Sequence, residues 1–409
     1  MTSRAIGPWQ SSGRLSSLTL ILVLLAACTG GGSSPLPPSP GAASVSPSPT
    51  SGATGEPIAT AAPSLVVAGI ASPAPPIPAV EARLSVPVGL VFDAAGNLYV
   101  SQCCLGQSVI DRVDPSGALT PFAGSGPLDF AGDGGPATLA EINCPVGMAF
   151  GPDGALYFAD HADNRVRRID RAGIITTIAG SGPAGVDQGS FSGDGGPAFE
   201  ATLKEPWDVA FDREGNLFIA DRDNSRVRRV DPNGVISTVA GDGERRFAGD
   251  GGPAVHASLS EPLGVAIDAA GDLLIADSGN NRVRKVDRNG TINTIAGTGA
   301  HGSFGDGGPA TAATLSLIDD LAFDARGALL VGTGVGIRRV DVAGAISTIA
   351  GAGKIGPPPD GTPAIDARFG EIHGLAVDER GNLFVADGYR SVYRIDTNGV
   401  LTLFAGKRA

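Results

Sequence analysis

Between Pro87 and Gly406 short apolar runs alternate with turn-forming polar clusters, and the same order of runs is written six times. The clearest copy reads Pro262-Leu-Gly-Val-Ala-Ile-Asp, Gly271-Asp-Leu-Leu-Ile-Ala-Asp, Asn281-Arg-Val-Arg-Lys-Val-Asp and Thr291-Ile-Asn-Thr-Ile-Ala-Gly. Each run is rich in β-branched and aromatic residues and is bounded by Asp-x-x-Gly or Ser-Gly-Asn-Asn chemistry, which predicts four antiparallel strands per copy. The opening glycine position falls at Gly89, Gly147, Asp208, Gly264, Asp320 and Gly374, at intervals of 54 to 61 residues. That period exceeds the need of four strands because a loop ends each copy. Runs that are apolar on both faces suit sheets covered on both sides, so the pattern predicts a closed ring of six four-stranded blades, an all-β propeller. An open row would leave its terminal sheets exposed.

The loops carry Asp133, Asp194, Asp250, Asp306 and Asp360 in Gly-Asp-Gly-Gly-Pro-Ala or a near variant. One carboxylate per loop is too few for a calcium ion, which wants roughly six to eight oxygens. The expectation is a tight turn, then a short helix opened by proline, with Leu203, Leu259 or Leu315 packing onto the blades. Arg165, Arg226 and Arg282 each follow Asp160, Asp221 or Asp277 by five residues, which predicts ion pairs between strands rather than a basic surface.

The strings Gly154-Ala-Leu-Tyr-Phe-Ala-Asp-His-Ala-Asp-Asn-Arg-Val-Arg-Arg-Ile-Asp and Gly193-Asp-Gly-Gly-Pro-Ala resemble NHL repeats, in particular those of teneurin-type NHL domains and of many bacterial secreted proteins. The resemblance covers about four fifths of the chain and implies a six-bladed β-propeller. It implies no single activity, since the family includes RNA binders, protein-interaction modules and metal-dependent lyases. Ser64-Leu-Val-Val-Ala-Gly resembles a lone fourth strand, and Ala79-Val-Glu-Ala-Arg-Leu-Ser-Val-Pro resembles the end of a connecting loop. The chain is therefore expected to enter the ring inside a repeat, with residues 64–409 as the propeller and the strand at 64–69 helping to latch the last blade.

Residues 1–28 have the grammar of an export signal: Arg4 and Arg14, an apolar core from Leu18 to Ala27, then Leu25-Ala-Ala-Cys28. The last four resemble the lipobox of bacterial lipoproteins, which implies cleavage before Cys28 and lipidation of its sulfur. Residues 29–63 are nearly all Gly, Ser, Pro, Ala and Thr and read as a disordered linker. The expected location is the bacterial cell envelope, on the outer face of the cytoplasmic membrane or in the outer membrane, with membrane contact through the lipid alone. A net charge of −12 argues against nucleic acid as a partner.

Cys103 and Cys104 end a second strand and Cys144 precedes the next first strand, on one rim of the ring. Bridges from Cys103 or from Cys104 to Cys144 both fit an oxidising compartment, with a vicinal Cys103–Cys104 bond as the outsider.

First strands line a propeller's channel, so departures at their opening positions fall at its mouth. Blades 1, 2 and 4 keep Val88-Gly89, Val146-Gly147 and Leu263-Gly264, whereas blades 3, 5 and 6 read Trp207-Asp208, Asp319-Asp320 and His373-Gly374. Two further breaks replace the usual Ala-Asp at the second-strand end, at Gln102 in blade 1 and Thr333 in blade 5. Polar and aromatic residues where the repeat asks for Val and Gly mark Trp207, Asp208, Asp319, Asp320, His373, Gln102 and Thr333 as ligand-site candidates. The expected role is a monomeric, non-catalytic module that binds an envelope or extracellular protein, peptide or glycan and needs no cofactor. The alternative is a divalent-metal-dependent lyase or lactonase-like hydrolase, with Ca²⁺ or Mg²⁺ held by Asp208, Asp319 and Asp320 and His373 as general base. Of the other histidines, His161 follows a second strand, and His256 and His301 lie in loops.

Overall fold

The computed structural model describes residues 75–103, 108–125, 130–334, 336–353 and 357–407. The segments expected to be the export signal, the linker and the strand at 64–69, with Cys28 and Cys104, lie outside the described residues. Six antiparallel sheets follow one another in chain order. Their first strands are Val86–Phe92, Pro145–Phe150, Pro206–Phe211, Pro262–Ile267, Ile318–Phe323 and Ile372–Val377. Each packs against the first strands of both neighbouring blades, blade 6 against blade 1 included, so the ring is closed. All five residues of the second strand Leu273–Asp277 are buried, as in Leu329–Thr333 and Leu383–Asp387. That explains why these strands read as continuous apolar runs rather than as alternating ones.

The fourth strand of blade 6 is Val400–Ala405, paired with its own third strand Ser391–Ile395. Closure is the work of residues 77–82. Ile77 and Pro78 pair with Leu119 and Ala118 on the outer strand of blade 1, while Ala79 and Ala82 accept the N–H groups of Gly406 and Lys407 at 2.9 and 2.8 Å. Every internal loop makes the same two bonds, with one residue inserted between the donors Gly351 and Gly353 in the last of them. Ala137 and Ala140, for example, accept from Gly124 and Ser125, and Pro136 bridges to Ile174.

In each loop the expected helix is a single 3-10 turn after the proline, such as Ala198–Glu200 or Ala254–His256. Leu203, Leu259 and Leu315 lie three residues beyond the turn and are wholly buried. The loop aspartates hold buried arginines of the third strands: Asp133 with Arg167 at 2.8 Å, Asp194 with Arg228 at 2.6 Å, Asp250 with Arg284 at 2.7 Å and Asp306 with Arg338 at 2.6 Å. The ion pairs therefore involve arginines two residues beyond those expected. Arg165 stands opposite Asp160 in the ladder, but its guanidinium passes on to the carbonyls of Asp163 and Gly182, while Arg167 returns to Asp160 at 3.2 Å. Phe130, Phe191 and Phe247 lie under successive Arg pairs, with Arg165, Arg226 and Arg282 at 3.9, 3.9 and 3.7 Å from the ring centroids.

The disulfide joins Cys103 to Cys144, tying the second strand of blade 1 to the entry of blade 2.

Candidate functional site at the channel mouth

Every first strand opens on a bulge. The register against the second strand shifts between Pro206 and Val209 in blade 3, between Ile318 and Asp320 in blade 5, and between Ile372 and Gly374 in blade 6. A bulge leaves one or two residues unpaired and turns them out of the ladder. Trp207, Asp208, Asp319 and His373 occupy those unpaired places, so the backbone device that repeats in all six blades aims these particular side chains at the axis. Neighbouring bulges touch. A Cβ on Gly147 would sit 2.6 Å from the Cα of Asp208, and one on Gly374 would sit 2.0 Å from the carbonyl oxygen of Val88. Glycine at this position is a demand of ring packing. The aspartates of blades 3 and 5 are tolerated because glycine faces them across the seam.

Trp207, Asp208, Asp319, Asp320 and His373 line one cavity of about 110 Å³ on the axis, with Val88, Leu90 and Met148 among its apolar walls. The structure thus brings together five of the seven candidates. Gln102 and Thr333 are elsewhere. The Gln102 amide accepts the Ser85 N–H at 2.6 Å and donates to Asp111 at 2.5 Å, and the Thr333 hydroxyl donates to the Gly336 carbonyl at 2.7 Å. Both are buried within their own blades, where they replace the strand-end aspartate of other copies.

Asp208 and Asp320 play matching parts. Asp208 accepts the Val265 N–H of blade 4 at 2.9 Å, and Asp320 accepts the Leu375 N–H of blade 6 at 2.7 Å and that of Leu321 at 2.7 Å. Burial pushes the Asp208 carboxyl up to about 7 against these hydrogen bonds, and it raises Asp320 well above the carboxylate range, with the charge of Asp208 adding to the effect. Both side chains keep partial access to the cavity. The Oδ2 atom of Asp319 lies 3.2 Å from His373 Nδ1, while its Oδ1 is buried with no hydrogen-bond donor. Burial works against a charge on His373, but the bond to Asp319 and the charges of Asp319, Glu371 and Asp387 outweigh it and raise its pKa.

The three mouth carboxylates do not converge as a metal cage. Among the described residues, the carboxylates whose oxygens fall within 4.8 Å of one another are Asp187, Glu205 and Asp223, beside the mouth. Three cations already neutralise that group: Arg222 at 2.9 Å from Glu205, and Arg245 and Lys204 at 3.1 and 3.7 Å from Asp223.

Residues 124–188, 184–248 and 242–304 each match the Teneurin NHL domain family. These are teneurin-type NHL repeats. Teneurin-4 of Mus musculus is 32% identical over 234 residues, 52% of this chain and 8% of that protein. Protein SUPPRESSOR OF QUENCHING 1, chloroplastic, of Arabidopsis thaliana is 32% identical over 149 residues, 36% of this chain and 14% of that protein. The chain thus matches well under a fifth of the length of these relatives. Among solved structures, an auxiliary nutrient binding protein of Bacteroides thetaiotaomicron superposes with a TM-score of 0.54 at 14% identity, over 78% of this chain and 70% of that one. A gluconolactonase of Xanthomonas campestris gives 0.50 at 16%, over 78% and 87%. At such identities the likeness speaks for the fold alone.

The NHL repeat also carries a residue that the reading of the mouth passed over. His161, at the turn after the second strand of blade 2, is wholly buried against the edge of Trp207, with ring centroids 5.1 Å apart. Its Nδ1 meets the Pro206 carbonyl at 3.3 Å, and Arg222 lies 5.4 Å over the Trp207 ring. Burial and the Arg222 charge hold His161 down to about 3, so it is a neutral wedge that sets the indole. The equivalent positions hold Arg222, Ser278 and Gly388, and that contrast between copies was the available signal. His256 and His301 are exposed in the loops.

Proposed function

We propose that this NHL propeller is an exported, lipid-anchored binding module that presents its channel mouth and surrounding loop rim to a protein, peptide or glycan of the envelope or its surroundings. The NHL propeller fold supports a binding role, and the order of signal, Cys28 and Gly/Ser/Pro linker in the first 63 residues supports export and anchoring. The observation that carries the reading is convergence. The copies depart from consensus at Trp207, Asp208, Asp319, Asp320 and His373, and these five side chains, far apart in sequence, line a single solvent-reachable cavity.

The test has two arms. Cys28→Ser is expected to move the protein from the membrane to the soluble fraction of the envelope; retention in the membrane would refute the anchor. Capture of an envelope component by the full chain is expected to fall at least tenfold in Trp207→Ala and Asp320→Ala. Undiminished capture by both variants would show that the mouth is not the binding site.

A second reading has one observation in its favour, the His373–Asp319 pair on the cavity wall, which orients an imidazole as a general base of a hydrolase or lyase. The divalent-metal version of that reading does not fit these residues. Asp208 and Asp320 each accept a backbone N–H of the next blade, and with Asp319 they do not surround one point.

A further inference from the structure

The cavity is acidic in a particular way. Its lining holds three carboxyls and an imidazole and includes neither lysine nor arginine. The nearby guanidinium of Arg222 lies over Trp207 and is bonded to Glu205, outside the lining. Beyond the lining, Glu371 and Asp387 add two more acidic groups that interact with His373. Even with His373 protonated, ionised Asp208, Asp319 and Asp320 would leave negative charge unbalanced in a small, half-open cavity. Uncompensated buried charge is expensive, so the free site meets the deficit with protons. Asp319 Oδ1, on a side chain only 5% exposed, accepts from nothing. It is an acceptor built without a donor.

The geometry points to a ligand that supplies the missing charge together with N–H donors for Asp208 or Asp320: a single ammonium or guanidinium group on an aliphatic stem, as at the end of a lysine or arginine side chain of a partner polypeptide. This rests on the channel mouth being the binding site proposed above. The N–H donors of one small cation can reach a remaining lone pair of Asp208 or Asp320, both only half-buried, while its charge offsets that of the buried Asp319 behind them. The stem lies along Trp207, whose face also favours a cation. A cavity of about 110 Å³ accepts the end of one side chain or a handful of waters, and excludes a folded segment. A neutral sugar would leave the acids uncompensated. A divalent ion would need converging oxygens that the mouth lacks.

Entry of the cation displaces protons from Asp208 and Asp320, so affinity rises with pH. At pH 6 Asp208 is largely protonated and a charged His373 opposes the ligand; at pH 8 Asp208 is ionised and His373 less charged. The titratable groups lining the site are Asp208 from blade 3, Asp319 and Asp320 from blade 5 and His373 from blade 6, with Glu371 and Asp387 of blade 6 acting on His373 from beyond the lining.

Trp207 provides the readout, because Trp9 is the chain's other tryptophan and Trp9→Phe leaves Trp207 alone. The full chain carrying that change is titrated by fluorescence with Nα-acetyl-lysine amide and Nα-acetyl-arginine amide, and with the uncharged Nα-acetyl-norleucine amide as control. At least one cationic amide is expected to bind at least tenfold more tightly than the norleucine amide, with affinity rising about tenfold from pH 6 to pH 8. Asp208→Asn and Asp320→Asn, which keep an oxygen for the backbone N–H, are expected to weaken it tenfold or more. Equal binding of the norleucine amide, response to CaCl₂ alone, or no response to either cation would overturn the inference. If envelope capture still depends on Trp207 and Asp320 while the amides neither bind nor compete, this inference fails and the binding site stands. If capture ignores both substitutions, the binding site itself falls.

Discussion

Asp163 occupies in blade 2 the place that Asn224 holds in blade 3. The Asn224 amide donates to both oxygens of Asp221 at 2.9 Å, and Asn280 does the same for Asp277. Asp163 can offer Asp160 no such donor unless it is protonated, and neither of its oxygens finds a hydrogen-bond partner. Burial and the charge of Asp160 push it up to about 8, against the pull of Arg167 and Arg165. A carboxyl raised in the folded state takes up a proton on folding, so its contribution is favourable below about pH 4 and is lost as pH rises through about 8. Asp163→Asn is therefore expected to stabilise the ring by about 1–3 kcal/mol at pH 8 and by much less at pH 4. Urea midpoints of both proteins across that range measure the difference.

Arg228 is wholly buried between Asp194 and Asp221, at 2.6 and 3.3 Å. Arg228→Met is expected to cost about 3–5 kcal/mol, because it strands Asp221 without its counter-charge. Adding Asp221→Asn removes the stranded charge and should recover part of that loss. If the double variant were no more stable than the single one, packing rather than charge would carry the effect. Urea unfolding of both variants decides between the two.

The Cys103–Cys144 bridge closes a segment with a sequence separation of 41 residues. On the chain-entropy account such a loop is worth on the order of 3–4 kcal/mol. Cys103→Ser should lower stability by that order under oxidising conditions, and excess reductant should lower the wild type to match. Thermal unfolding with and without reductant checks both.

His373 gains its proton affinity from Asp319. Asp319→Asn is expected to bring the His373 titration, followed by NMR of the imidazole, below its ordinary value, since burial then acts with less opposition. A histidine raised by its partner contributes stability that is complete below about pH 6.5 and fades as pH rises through its folded pKa. The variant should therefore lose more stability at pH 6 than at pH 8.

The fold was legible because six copies average out accident. One copy's Val-Ala-Ile-Asp could be helix or strand; repeated at a fixed period between Asp-x-x-Gly turns, it is a blade. The channel mouth was legible for a related reason, since Trp207 and Asp320 stand out only against Val and Gly elsewhere. What sequence left hidden depended on side-chain reach. Arg165 and Arg167 lie on the same strand face, and spacing does not say which one returns to Asp160. Gln102 and Thr333 break the repeat as visibly as Asp319 does, yet they stand on paired second-strand positions, where a polar side chain turns inward to its own blade. A bulge made the difference, and the bulge is invisible without the register.

The seam between blades 6 and 1 is sewn with the stitch used at every internal junction, with Gly406 and Lys407 joined to Ala79 and Ala82. A ring fastened in this way has an order but no privileged beginning. Opening it at the Gly307 turn and joining residue 407 to residue 77 through a short link would reproduce each blade with its neighbours unchanged. The three blades that furnish the polar side chains of the mouth fix only the sequence in which the copies are read around the axis, and evolution could have started that reading anywhere.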